Sequence, residues 1–82
     1  MKVEFRGKNF KPESLARIEQ MDEIVEEYQR QGLRLTARQL YYQFVSRDYI
    51  PNTERSYKNL TSLLVDARYA GLVDWDAIED RG

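Results

Sequence analysis

Arg55, Lys58, Asn59 and Ser62 fall on successive turns of one segment and supply groups that read the edges of base pairs. Arginine can grip guanine with two hydrogen bonds, asparagine can do the same for adenine, and lysine or serine can hold base edges or phosphates. With Leu60 set at zero and each residue advanced by about 100°, Arg55, Lys58, Ser62, Val65 and Tyr69 lie opposite the apolar stripe, with Asn59 and Asp66 at the edge. In a helix-turn-helix protein the N-terminal part of the second motif helix enters the major groove, and the four polar residues lie in that part. Any exposed helix shows such side chains, so the face carries this meaning only with the fold that presents it. Val65 and Asp66, farther along, suit contact with DNA poorly. Arg34 and Arg38 flank the start of the preceding helix, whose N-terminal amides can themselves hold a phosphate, and are candidate positioning contacts. The rival account of Arg38 is a surface pair with an acid on the first helix, worth ~0 to 1 kcal/mol.

Other chemistry is excluded by composition. With neither cysteine nor histidine, the chain can build no disulfide, none of the usual zinc sites and no serine–histidine or cysteine–histidine relay. The sequence calls for no cofactor and no metal, and as it stands the chain is not expected to be an enzyme. No aliphatic run exceeds Leu63 to Val65, so neither a membrane span nor a signal peptide is expected, and the cytoplasm is the expected compartment. Eighty-two residues with 41% apolar and 33% charged content describe a single domain, 1–82, with a core sufficient for three helices and little more.

The net charge of −1 hides a sorted pattern. Residues 1–11 carry +3 and form a basic arm or strand, 12–31 carry −4, 32–71 carry +3, and the tail from 72 carries −3. One surface can then attract a polyanion while another repels it, which would orient the domain on DNA. The plainer alternative is a solvated charged surface.

Three helices are expected to position these residues. Pro12 suits a first turn, and Leu15, Ile18, Met21, Val25 and Tyr28 recur at three- and four-residue steps until Gly32 supplies a left-handed stop. Glu19, Glu23, Glu26 and Glu27 line the other side of this first helix. Leu33 and Leu35 fit a short extended link. Thr36 and Gln39 have the spacing of a capping box, which starts a second helix with Ala37, Leu40, Tyr41, Phe44 and Val45 inward and an end near Arg47. Asn52 or Thr53 caps a third helix that buries Tyr57, Leu60, Leu63, Leu64, Ala67 and Ala70 and stops at Gly71. The following "LVDW" reads as a short strand and turn, able to pair with the Leu33–Leu35 link or with residues 2–6. Trp75 and Ile78 are expected to cap the core beneath it. The fold expected is mainly α with a small β element, a three-helix winged helix-turn-helix in which 72–82 form the wing and an acidic tail.

The run "LTARQLYYQFVSRDYIPNTERSYKNLTSLLVDARYAGLVDWDAIEDR", Leu35 to Arg81, resembles the N-terminal winged-helix region of bacterial and phage proteins that continue into a Toprim-type domain. The combination of "RQLYYQ", "AGLVDW" and "IEDR" carries the resemblance, and those proteins are more distantly similar to the A subunit of topoisomerase VI. The resemblance implies double-stranded DNA as the partner and implies that the chain is a fragment of a longer protein with a downstream Toprim-type domain. It also bears on the doubled tyrosine. The strand-cleaving tyrosine of the topoisomerases sits in a motif of arginine, acid, apolar residue, aromatic residue and tyrosine, to which Arg38, Gln39, Leu40, Tyr41 and Tyr42 are similar. By that carry-over Tyr42 is a candidate nucleophile and Tyr41 its packed neighbour. Gln39 stands where the acid would be, and a phenol is a weak nucleophile until a base or metal activates it. The bland expectation is that Tyr42 is a half-buried ring whose hydroxyl bonds a helix-one residue or a phosphate.

The sequence thus points first to a DNA-binding winged-helix module of a larger DNA-processing protein. A protein-interaction module that uses the acidic face of the first helix is the alternative, with a tyrosine-nucleophile domain third.

Overall fold

Proline can open a helix because the N–H it lacks would have no intrahelical partner there, and α1, Pro12–Arg30, opens on Pro12. The structure is a computed structural model that describes residues 10–79. The arm over residues 1–11, all but its last two positions, the pairing with residues 2–6 and the end of the acidic tail lie outside the described residues. In α1, Glu13 occupies the first turn and Arg30 the last, each where the helix dipole favours its sign. The helix α2, Ala37–Ser46, begins with the anticipated capping box: Gln39 N–H donates to Thr36 Oγ1 at 3.1 Å, and Thr36 N–H donates to Gln39 Oε1 at 2.8 Å. The helix α3, Glu54–Tyr69, is capped by Thr53, whose Oγ1 accepts from Ser56 N–H at 3.1 Å. Of the two candidate caps Thr53 takes the role, and Asn52 is used elsewhere.

All three helices stop in the same way. Gly32 (φ 72°) donates to Gln29 O at 2.9 Å while Leu33 donates to Tyr28 O at 2.9 Å, and Gly71 (φ 77°) and Leu72 repeat the pattern on Arg68 O and Ala67 O. Between α2 and α3 the left-handed residue is Asp48, at φ 60°; it donates to Val45 O at 3.0 Å and Tyr49 donates to Phe44 O at 2.9 Å. The Tyr49 ring then meets the Phe44 ring edge-on at 5.5 Å, the apolar contact that accompanies this kind of stop. An L-residue in that conformation is strained because Cβ crowds the following carbonyl, aspartate less than most. Asp48→Gly is therefore expected to raise stability by about 0.5 kcal/mol, the relief of strain being partly offset by a more flexible unfolded chain. A thermal melt a few degrees higher checks this.

Each helix packs against the other two. The core consists of Ile18, Met21, Ile24 and Val25 from α1, Leu40, Tyr41 and Phe44 from α2, and Leu60, Leu64 and Ala67 from α3. Leu15, expected inside, is 43% exposed. It lies roughly 120° around the axis from the face that Met21, Ile24 and Val25 bury, and Ile24 supplies the contact instead. Tyr57, Leu63, Tyr28 and Val45 are half-buried at the margin of the core.

The chain after α3 departs from the expected strand. Among the described residues there is no strand; Leu35 and Ile78 form an isolated parallel bridge, made by Leu35 N–H to Ala77 O at 3.2 Å and Glu79 N–H to Leu35 O at 2.8 Å. "LVDW" instead bends into a single 3₁₀ turn, Trp75–Ala77, because Asp74 Oδ1 accepts from Asp76 N–H at 3.0 Å and pulls the backbone out of extended geometry. Val73, Ala77 and Ile78 are buried, so this tail does close the core as anticipated for Ile78. Trp75 stays half-buried. Its ring lies under the Arg68 guanidinium at 4.3 Å and its carbonyl accepts from Arg68 Nη2 at 2.9 Å, which places the buried arginine at the C-terminal end of α3, where a cation is favoured.

Candidate nucleic-acid interface

Capping and the apolar stripe fix how α3 is rotated, and its polar residues follow from that rotation. With Leu60, Leu64 and Ala67 inward, Arg55, Lys58, Asn59 and Ser62 are all exposed. Lys58 Nζ lies 3.3 Å from Glu54 one turn earlier, with both side chains largely in solvent, so the lysine remains available to a stronger anion. Asn59 sits on the shoulder facing α1, where it shares a hollow of ≈ 340 Å³ with Glu13, Ser14 and Arg17. Arg55, Lys58 and Ser62 hold the middle of the outer face. Toward the end of that face Val65 is 46% exposed, and Tyr69, expected to face solvent, is half-buried with its ring edge-on to Trp75 at 5.1 Å. The usable polar surface is thus confined to the first half of the helix.

The two arginines near the start of α2 have different surroundings. Arg38 is exposed, with its guanidinium 5.9 Å from the centre of the Tyr57 ring on α3. Among the described residues it makes no ion pair with an α1 acid, so the rival account of Arg38 fails. Arg34 donates through Nε to Asp76 O at 2.8 Å and through Nη2 to Ile78 O at 3.1 Å. Its guanidinium holds the tail against the start of α2, leaving fewer donors for a phosphate than the sequence suggested.

The doubled tyrosine resolves into two environments. Tyr41 is 5% exposed, and its hydroxyl donates toward Asn52 Oδ1 at 2.9 Å and Thr53 O at 3.2 Å, which ties α2 to the cap of α3. Tyr42 is 55% exposed. Among the described residues no group bonds its hydroxyl, so the expected bond to α1 is not made. The reason is rotation about α2: one position moves the side chain ~100°, from the core to the outer surface. Tyr42, Tyr41 and Tyr57 line a second hollow, of ≈ 250 Å³, with Arg38, Asn52 and Glu54 on its wall and rim. Sequence reasoning placed Tyr57 in the core and did not anticipate this hollow; the signal available was three tyrosines and an arginine beside the α3 cap.

On the far side, the acidic face of α1 is partly occupied. Glu19, Glu23 and Glu26 are exposed, but Glu27 accepts from Arg47 Nη2 at 2.6 Å, and Gln43 reaches both Arg47 and the Tyr28 hydroxyl. The hydrogen bond from Arg47 holds the Glu27 carboxyl below its ordinary range, against a smaller opposing effect of desolvation, with the Arg47 and Arg30 charges assisting. Because the unfolded chain then binds the proton more readily than the folded one, the stability this pair contributes is present above the ordinary carboxylate range and is lost as pH falls through the lowered value. Glu27→Gln is expected to reduce stability at neutral pH and to leave it unchanged in acid. Denaturant midpoints of both proteins, measured across that range, check the convergence.

Among the described residues no group of three or more acidic, histidine or cysteine side chains is placed to hold a metal ion, and no helix is long and apolar enough to cross a membrane. Comparison of the chain with family models, curated proteins and solved structures gave no match.

Proposed function

We propose that the chain binds double-stranded DNA as a helix-turn-helix module, with α3 as the helix presented to the major groove and the tail after Gly71 in the position of a rudimentary wing. The observation that carries this reading is the joint exposure of Arg55, Lys58, Asn59 and Ser62 on the first half of α3. Arg55 and Asn59 are the side chains suited to base edges, Lys58 and Ser62 to edges or phosphates, and Arg38 to a phosphate beside the cap of α3. Arg34 is at most a secondary contact, since two carbonyls already engage it. The charge division supports one orientation: the glutamates of α1 repel the same backbone that the 32–71 segment attracts. The resemblance of Leu35–Arg81 to the winged-helix region of Toprim-containing proteins supports DNA as the partner and a place in a larger processing protein.

Titration of a labelled duplex at low salt, repeated as salt rises, tests the proposal. Affinity is expected to fall steeply and linearly on a log–log plot, as counterion release requires. Absence of binding at ~50 mM salt would end it.

A further inference from the structure

We infer that the hollow between Tyr42 and Tyr57 takes one unpaired nucleobase, so that the module engages duplex DNA carrying a single-stranded overhang in preference to a blunt duplex. The inference rests on the DNA-binding reading and adds a second ligand feature to it. The hollow's ≈ 250 Å³ lies below the usual range for drug-sized ligands and suits a single flat ring. Its walls are aromatic and held in place. Tyr41 meets Tyr57 edge-on at 5.1 Å and lies 5.8 Å from Tyr42 at an interplanar angle of 49°, while the Tyr41 hydroxyl is fixed by Asn52 and Thr53. Tyr42 therefore offers a ring already oriented by its neighbour, with more than half its surface open.

Charge decides between a base and an anion. Arg38 and Glu54 both line the hollow, so an anion seated inside it would meet the Glu54 carboxylate, which Lys58 at 3.3 Å neutralises only in part, while the exposed Arg38 can still reach a backbone phosphate outside it. A neutral, flat, polar ring meets both. Tyrosine faces and the arginine plane stack on any base, the Glu54 carboxylate can accept from an exocyclic amino group, and Asn52, whose Oδ1 already accepts from Tyr41, has amide N–H groups left to donate. The hollow opens beside the Thr53 cap, the end of α3 that the groove-binding reading directs at DNA. The other hollow offers no such wall, because no aromatic ring lines it.

Fluorescence anisotropy with three probes tests this: a blunt duplex, the same duplex with a short cytosine overhang, and single-stranded oligo(dC). The overhang is expected to bind about tenfold tighter than the blunt duplex, the worth of one stacked base. Tyr42→Ala is expected to abolish that difference and leave blunt-duplex affinity unchanged, and Tyr42→Phe, which keeps the ring, to retain it. Equal affinity of the wild type for blunt and overhang duplexes overturns the base site alone. A loss in Tyr42→Ala that is the same on both duplexes overturns it too. Binding of oligo(dC) that depends on Tyr42, without binding of the blunt duplex, sustains the base site and overturns the groove reading; binding of none of the three probes overturns both.

Discussion

Phe44→Ala is expected to destabilise the domain by about 3 to 5 kcal/mol, the largest effect of any single side-chain truncation. Phe44 is fully buried at the centre of the three-helix core. Its ring is met edge-on by Tyr49 and lies 6.0 Å from the Arg17 guanidinium, which in turn donates to Tyr49 O at 3.0 Å. Truncation thus opens a cavity and also removes the surface against which the α2 stop and the α1 arginine are arranged. With the ring wholly shielded from solvent, its surroundings can relax only partly into the space left. A domain of this size has a total stability of roughly 4 to 12 kcal/mol, so the loss removes at least about a quarter of it and shifts the unfolding midpoint far down. Urea unfolding followed by circular dichroism gives the measurement; a loss under ~1.5 kcal/mol would mean that neighbouring side chains fill the space.

The second large effect concerns binding. Replacing Arg55→Glu together with Lys58→Glu is expected to lower duplex affinity by on the order of a hundredfold at low salt and to reduce the salt slope by about one or more, through the phosphate contact of Lys58. Stability is expected to change little. Both side chains are exposed, and the partner of Lys58, Glu54, belongs to a solvent-exposed pair of the kind worth ~0 to 1 kcal/mol. Anisotropy titrations of the folded variant, with its melt recorded alongside, separate the two effects. Undiminished affinity would place the DNA on another surface.

Much of the architecture was legible because it is local. Thr36 and Gln39 announce the start of α2 by spacing alone, and Gly32 and Gly71 announce the ends of α1 and α3 because glycine adopts a left-handed backbone without strain. Asp48 makes the same stop without a glycine, and nothing in its neighbours marks it. The inward set of α1 was misjudged by one face: Leu15 and Ile24 are equally apolar, and only the positions of α2 and α3 decide which is covered. The tail was the least readable part. The turn at Asp74 is local, but where the tail lies depends on Arg34 and Gln29, more than forty positions away, donating to Asp76 O, Ile78 O and Asp74 Oδ2. Of the candidate site, the outward set on α3 followed from helical period, whereas the hollow beside Tyr42 requires the packing of α2 on α3.

The bridge between Leu35 and Ile78 joins positions on either side of α2 and α3, so it encloses both helices in one loop. Such a contact forms only after the enclosed helices have docked, since closure over that length costs entropy that local turns do not. Among the described residues, backbone pairing there is confined to that one bridge, and side chains of Gln29, Arg34 and Arg68 together with the burial of Val73, Ala77 and Ile78 hold the rest of the tail. The backbone amides of Leu35 and Glu79, paired only in that bridge, are therefore expected to exchange with solvent ahead of the amides in the middle of the helices, and hydrogen exchange checks the order.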